Sequence, residues 1–333
     1  MKQIDVAISG FGTVGRHVAR LLREREGRYR ERHGVAVRLT GVCGSRAGLC
    51  DAAGLGPDRL ADGAGFTPGL TGPAFIDQVR ADVLFEASPS DFRDGGAALG
   101  YMRTALRRRM QVIAISKGAL AFDYAGLRDE ARRSGVALRI SGATSSALPT
   151  IDLLQYNLAG CEIVSLEAIL TGTTNVILSA MMERDWTFAQ ALAEAQRLGI
   201  AESNPALDID GWDTACKLTI LANAAFDAGL TVDGVPRQGI AWVGADDTAG
   251  WRGAGLTPRL IGWIERADGL TRAGVALRLY DPEHPFARVR GRAKAIRVLS
   301  ETMGELTVIG AGSDPAGTAA AALKDFEHVL ASL

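Results

Sequence analysis

Residues 3–15, QIDVAISGFGTVG, set out the fold of the N-terminal half of this chain. Residues 3 to 10 alternate and then run apolar, as a strand does on entering a core. Gly10-Phe11-Gly12-Thr13-Val14-Gly15 follows at once, and a helical stretch, 16–25, comes after it. Strand, GxGxxG turn and helix in that order are the fingerprint of a dinucleotide-binding unit. Gly10 permits the tight turn, Gly12 lets the backbone approach a pyrophosphate, and Gly15 allows helix to pack closely on strand. The phosphates are expected on the free amides at the helix N-terminus. A glycine turn with a purely structural task is the alternative.

The next segments continue the alternation. A second strand, 35–42, ends in Cys43-Gly44-Ser45-Arg46, where folds that prefer NAD offer an acid to the ribose 2′-hydroxyl. Ser45 and Arg46 suit a 2′-phosphate instead, so NADP(H) is expected over NAD(H). Residues 47–80 are rich in Gly, Pro and Asp and reveal little. A buried strand at 81–88 leads through Pro89 to a helix ending near 109. The strand at 110–116 delivers Lys117 and Gly118 at its carboxyl end. Ligands of open α/β sheets bind beyond the carboxyl ends of the strands, which places Lys117 at the nicotinamide end. A surface loop lysine is the alternative. Helix 123–134 and strand 136–140 complete a Rossmann-type, doubly wound parallel sheet over 1–140.

Residues 141–149, SGATSSALP, read as a small-residue loop crossing into a second domain, 141–312. A strand at 162–170 ends in Thr171-Gly172-Thr173-Thr174-Asn175, ahead of a helix at 176–183. Such a hydroxyl-rich loop can bind an anion, or Thr174 or Asn175 can simply cap the helix. A helix at 188–198 follows. Strands at 259–266 and 274–280 flank Ala267-Asp268-Gly269, and two more lie at 295–300 and 305–310. Strands gathered after helices indicate an α+β domain with a largely antiparallel sheet. The final helix, within about 313–333, is expected to pack back on the first domain.

Between these segments lies the chemistry. Residues 198–218, LGIAESNPALDIDGWDTACKL, gather Glu202, Asp208, Asp210, Asp213 and Lys217 around a loop shaped by Pro205 and Gly211. Asp213 and Lys217 stand one helical turn apart on one face. An acidic loop beside a lysine suits a small substrate that carries an ammonium group and exchanges a proton. A solvated turn with an i, i+4 ion pair, contributing a few tenths of a kcal/mol, explains the same residues.

Composition narrows the function. The 333 residues are 47% hydrophobic and carry a formal net charge of −1, so neither nucleic acid nor an anionic membrane is an expected partner. No apolar run reaches membrane-spanning length, and the N-terminus enters a strand without room for a signal peptide. Cys43, Cys50, Cys161 and Cys216 form no CxxC pair, and the histidines are scattered, so a Cys/His metal centre is not expected. Reduced thiols and a cytoplasmic location follow. Of 37 Lys and Arg residues only five are lysines: Lys2, Lys117, Lys217, Lys294 and Lys324. In a chain biased to arginine, a lysine in an ordered segment draws notice, since an amine can lose its proton near neutral pH.

TGTTN at 171–175 and GIAESNPALDIDGWDTACKL at 199–218 closely resemble the signature region of homoserine dehydrogenases. GFGTVG, the Ser116-Lys117-Gly118 turn, HPFARVRGRAKAI at 284–296 and GAG at 310–312 fall in the same family's order, over essentially the whole chain. Ser116 stands where the family usually has Asn, and Val176 where an aromatic is usual. The chain resembles the short form that lacks a C-terminal ACT regulatory domain.

The resemblance implies NAD(P)-dependent interconversion of L-aspartate 4-semialdehyde and L-homoserine by a homodimer. It places the proton transfer on Lys217 and Lys117, the substrate's ammonium on Glu202 and Asp213, and Gly172 and Thr173 beside its carboxylate. Cofactor contacts carry over to Gly10, Gly12, Thr13, Val14, Gly15, Ser45, Arg46, Ser88, Pro89, Ser116, Lys117 and Gly312. A monovalent cation, Na⁺ or K⁺, is implied on the carbonyls of Ser141, Thr144, Ser146 and Leu148. Another amino-acid dehydrogenase on this architecture and a non-catalytic NADP-binding sensor are the competing readings.

Overall fold

The computed structural model describes residues 1–61, 65–310, 312 and 314–333. The chain divides into two compact units, Met1–Ala143 with Asp314–Leu333, and Thr144–Ser313. The division thus falls three residues beyond the expected 140.

The first unit is built on one sheet of seven strands, ordered β4-β3-β2-β1-β5-β6-β7. These are β1 (Lys2–Ser9), β2 (Val35–Cys43), β3 (Ala47–Cys50), β4 (Thr67–Pro68), β5 (Val83–Glu86), β6 (Gln111–Ala114) and β7 (Leu138–Arg139). β2, β1, β5, β6 and β7 run parallel, whereas β3 and β4 are antiparallel additions at one edge. Strands buried on both faces need unbroken apolar runs, and Val6, Ala7, Ile8, Val83, Leu84 and Phe85 have no exposure. The sheet is flanked by α1 (Thr13–Glu24), α2 (Glu26–His33), α3 (Gly96–Arg107) and α4 (Gly118–Ser134). Strand order reverses between β1 and β5, which makes their carboxyl ends the switch point where such sheets bind ligands.

The helix Pro315–Ala331 belongs to this unit and packs on α1. Its Phe326 meets Tyr29 edge-on at 5.4 Å and Phe85 at 5.6 Å between ring centroids. Two details differ from expectation. Residues 89–95 are irregular, with a turn at 92–94, rather than helix, because the Asp91 and Asp94 carboxylates take the backbone N–H groups of Arg93 and Gly96. Residues 47–80, opaque to pattern, supply β3 and β4.

The second unit holds an antiparallel sheet, β8 (Ile163–Ile169), β9 (Thr257–Ala267), β10 (Leu270–Tyr280), β11 (Lys294–Ser300) and β12 (Gly304–Gly310), ordered β10-β9-β8-β11-β12. β9 and β10 are joined through Asp268 and Gly269, both at positive φ (52° and 74°), the tight hairpin turn that matches strand twist. The described helices include α5 (Gly172–Arg184), α6 (Phe188–Arg197) and α7 (Trp212–Ala225), with α5 and α7 packed on the β9–β10 side of the sheet. The 141–149 segment is not all loop, since Ser141–Ser145 form one helical turn. TGTTN is not a loop either: α5 already begins at Gly172. Ala311 of the GAG segment lies outside the described residues.

Candidate active-site residues

At the first unit's switch point the glycines are fixed by crowding. Gly10 lies at φ +82°, and a Cβ there would come within 2.2 Å of the Ala87 backbone. A Cβ at Gly15 would stand 2.4 Å from the Gly10 carbonyl, whereas at Gly12 it would meet nothing within 4 Å. Gly10 and Gly15 therefore serve the packing of turn on strand, and Gly12 keeps open the side from which a phosphate can approach. The N–H groups of Gly10 and Phe11 both reach the Cys43 carbonyl at 2.9 Å, tying the turn to β2. No side chain caps α1, so the first-turn amides around Thr13 and Val14 are left for an anion. A dinucleotide's pyrophosphate fits this cradle.

Beyond β2, Gly44 N–H bonds the Ala47 carbonyl at 2.9 Å. The tight turn so closed carries Ser45 and Arg46, both exposed. At the ends of β5 and β6, Ser88 is half-buried, Pro89 exposed, and Ser116 only 4% exposed. Both serine hydroxyls donate to one carboxylate, that of Glu86, which also accepts the Ser88 N–H at 2.9 Å. Glu86 has no exposure, and desolvation raises its pKa above the ordinary carboxylate value even against these hydrogen bonds. Pattern reading missed this residue. Its signal was a charge closing an otherwise apolar strand, ADVLFE. Lys117, half-buried at the start of α4, donates its backbone N–H to Ser90 Oγ at 2.9 Å.

In the second unit, Asp213 and Lys217 do form an i, i+4 ion pair, with side chains only 13% and 9% exposed. Burial removes the solvated-turn reading. The Lys217 ammonium also donates to the Leu170 carbonyl at 2.8 Å, at the end of β8. Thr171 Oγ1 donates to Asp213 Oδ2 at 3.1 Å and lies 3.0 Å from Thr214 Oγ1. Because the Thr171 hydroxyl spends its hydrogen on Asp213, the Thr214 hydroxyl is the donor to Thr171. The chain Thr214, Thr171, Asp213, Lys217 thus holds the ammonium at one place.

The TGTTN residues are held just as closely. A Cβ at Gly172 would lie 2.9 Å from the Arg292 carbonyl oxygen. Thr173 Oγ1 donates to the Ile200 carbonyl at 3.3 Å, and Asn175 Nδ2 to the Gly291 carbonyl at 2.8 Å. Thr174 bonds back to the Thr171 carbonyl. Neither Thr174 nor Asn175 therefore caps α5, whose first-turn amides have no side-chain partner. Segment 285–293 is anchored from behind by Arg259, 1% exposed, whose guanidinium donates to the carbonyls of Pro258, Phe286, Ala287 and Val289. Desolvation lowers its pKa to about 10. Glu202 is exposed on a loop held through Gln196, whose amide reaches the Glu202 carbonyl at 3.1 Å. Gly312 lies where a Cβ would sit 3.4 Å from Arg292 Cβ.

The implied cation set fits less well. Leu148 O already accepts the Thr150 N–H at 2.8 Å. The Lys294 side chain, 1% exposed, reaches the adjoining Ser145 carbonyl at 3.3 Å. Lys294 thus brings an amine from β11 against this loop, and its charge would oppose a second cation there.

The chain is similar to known proteins over nearly its whole length. The profile described as the homoserine dehydrogenase NAD-binding domain matches residues 10–141, and that of homoserine dehydrogenase matches residues 149–326. An NAD(+)-dependent homoserine dehydrogenase of Pseudomonas canavaninivorans is 36% identical, over 99% of this chain and 97% of that one. A homoserine dehydrogenase of Methanocaldococcus jannaschii is 31% identical over 99% of each. The crystal structure of a homoserine dehydrogenase from Thiobacillus denitrificans matches with a TM-score of 0.86 at 27% identity, over 99% of this chain and 74% of that one. With a glycine cradle in one unit, a buried lysine–aspartate pair beside TGTTN in the other, and both profiles matched, the chain belongs to the homoserine dehydrogenase family.

Proposed function

We propose that this chain interconverts L-aspartate 4-semialdehyde and L-homoserine with a nicotinamide dinucleotide, a step in making threonine and methionine. The observation that carries the reading is the buried Lys217 ammonium, held by Asp213 and the Leu170 carbonyl next to TGTTN. When bound, the nicotinamide supplies hydride to the aldehyde carbon or takes it back from the alcohol. Lys217 and Lys117 stabilise negative charge developing on the substrate oxygen and give it a proton; in the oxidative direction an amine removes the hydroxyl proton. Asp213 orients Lys217 and, with Glu202, presents negative charge to the substrate's ammonium. The first-turn amides of α5, at Gly172 and Thr173, receive its carboxylate.

For the cofactor, Gly10, Gly12, Thr13, Val14 and Gly15 hold the pyrophosphate, with Ser88, Pro89, Ser116 and Gly312 as further contacts. NADP(H) is the preferred form on this reading, because β2 ends without an acid and the exposed Arg46 can pair with a 2′-phosphate. The name of the Pseudomonas relative favours NAD(H) as the second reading. A homodimer through the β-sheet of the second unit accords with Leu299 and Ile309, which are 41% and 45% exposed on one face. Four free cysteines suit a reducing cytoplasm. Purified protein with L-homoserine and either NAD⁺ or NADP⁺ tests the activity through absorbance of the reduced nicotinamide. No homoserine-dependent signal with either cofactor would overturn it.

A further inference from the structure

Lys294 is the first residue of β11 and has no place in that strand's pattern. Ile296 and Val298 share its face and are fully buried, as expected of aliphatic positions that point into a core. Lys294 is 1% exposed at the head of this row. A lysine so placed loses its hydration and persists only where oxygen acceptors replace the lost water. Its Nζ donates to the Ser145 carbonyl, 149 residues earlier in the chain. That same carbonyl also accepts the Leu148 N–H at 3.3 Å, which closes the turn around Ser146. Ser146 takes a left-handed conformation, φ 61°, unusual for a residue with a Cβ. Thr144 Oγ1 is engaged with Thr150 Oγ1 at 2.7 Å.

We infer that the Lys294 ammonium is a built-in monovalent cation for the 144–148 loop, and that this protein takes up neither Na⁺ nor K⁺ there. An ammonium matches a monovalent metal ion in charge and in its demand for carbonyl oxygens, but it is tethered and cannot be exchanged. Two unit charges about 5 Å apart in a partly screened interior weaken binding of the second on the order of a hundredfold. The loop's shape is then independent of the salt in solution.

Thermal melting at constant ionic strength tests this, in tetramethylammonium chloride and with Na⁺ or K⁺ replacing it stepwise. It needs no turnover, so its outcome is separate from that of the homoserine assay. The wild-type midpoint should not respond to Na⁺ or K⁺. Lys294→Ala opens space and removes the charge; it should melt lower in tetramethylammonium and recover roughly 2–4 °C, saturably, with Na⁺ or K⁺. A saturable rise in the wild type would overturn the inference, as would a Lys294→Ala protein no more responsive than its parent. Should that variant not fold, Lys294→Gln is measured the same way. ²³Na line broadening by the wild type, relieved by K⁺, is an independent sign of a site and would likewise refute the inference.

Discussion

Lys217→Met separates chemistry from architecture at the candidate site. Methionine keeps the length and volume of the lysine stem and removes the ammonium. The side chains of Lys217 and Asp213 are 9% and 13% exposed, so the substitution leaves a poorly solvated carboxylate with the Thr171 hydroxyl as a remaining donor. Breaking a buried pair from one side costs roughly 3–5 kcal/mol; the lower end applies because Thr171 remains and some water reaches Asp213. Midpoints of units the size of Thr144–Ser313 fall about 2–4 °C per kcal/mol, so a drop approaching 10 °C is expected. Loss of a positioned proton donor lowers kcat about 10²–10⁴-fold, or about 3–5 kcal/mol of barrier. The reduced cofactor, titrated by its fluorescence, should bind as before. Stopped-flow turnover below the melting range then decides. A protein that melts lower but keeps kcat within a few-fold of its parent would make Lys217 a structural residue and move the proton transfer elsewhere.

Other perturbations have distinct signatures. Glu202→Gln exchanges a charge-assisted hydrogen bond for a neutral one and should raise KM for homoserine about 10- to 100-fold; an unchanged KM would remove Glu202 from the substrate. Arg46→Ala should weaken NADP(H) by roughly 1.5–3 kcal/mol in direct titration and leave NAD(H) almost unaffected, while equal, small effects on both would mean that Arg46 meets only solvent. Glu86 has its folded pKa raised by burial, so the folded state holds the proton more tightly than the unfolded one. Stability should therefore fall as pH rises from the ordinary carboxylate value of 4.5 through the raised folded value, then level off. Glu86→Gln should flatten that segment of a denaturant-midpoint-against-pH curve, and an unaltered slope would show that another group is responsible. Gly172→Ala should lower kcat/KM for homoserine, because its Cβ would stand 2.9 Å from the Arg292 carbonyl oxygen and push α5 off the 285–293 segment. Wild-type kinetics in that variant would show that the segment yields freely.

Where structure follows from neighbours along the chain, the residues announce it. β1, the glycine turn and α1 are legible because strand and helix periods and the needs of a phosphate-facing turn act within about a dozen residues. The β9–β10 hairpin is legible through Asp268-Gly269 for the same reason. The i, i+4 spacing of Asp213 and Lys217 could be read as well, but not whether water reaches them, and on that point the active-site reading turns. Burial is a sum over distant segments: Lys217 is closed in by the Leu170 carbonyl, 47 positions away, and Lys294 by Ser145, 149 away. Glu86 looked like one more strand end until Ser88 and Ser116 converged on it from two loops. The edge strands β3 and β4 escaped notice because a two- to four-residue strand among glycines and prolines has no period, and exists only by pairing with a neighbour already in place. Local chemistry names the acids, lysines and glycines of this protein; which of them lose their water, and against what, is fixed only when the sheets and helices close over them.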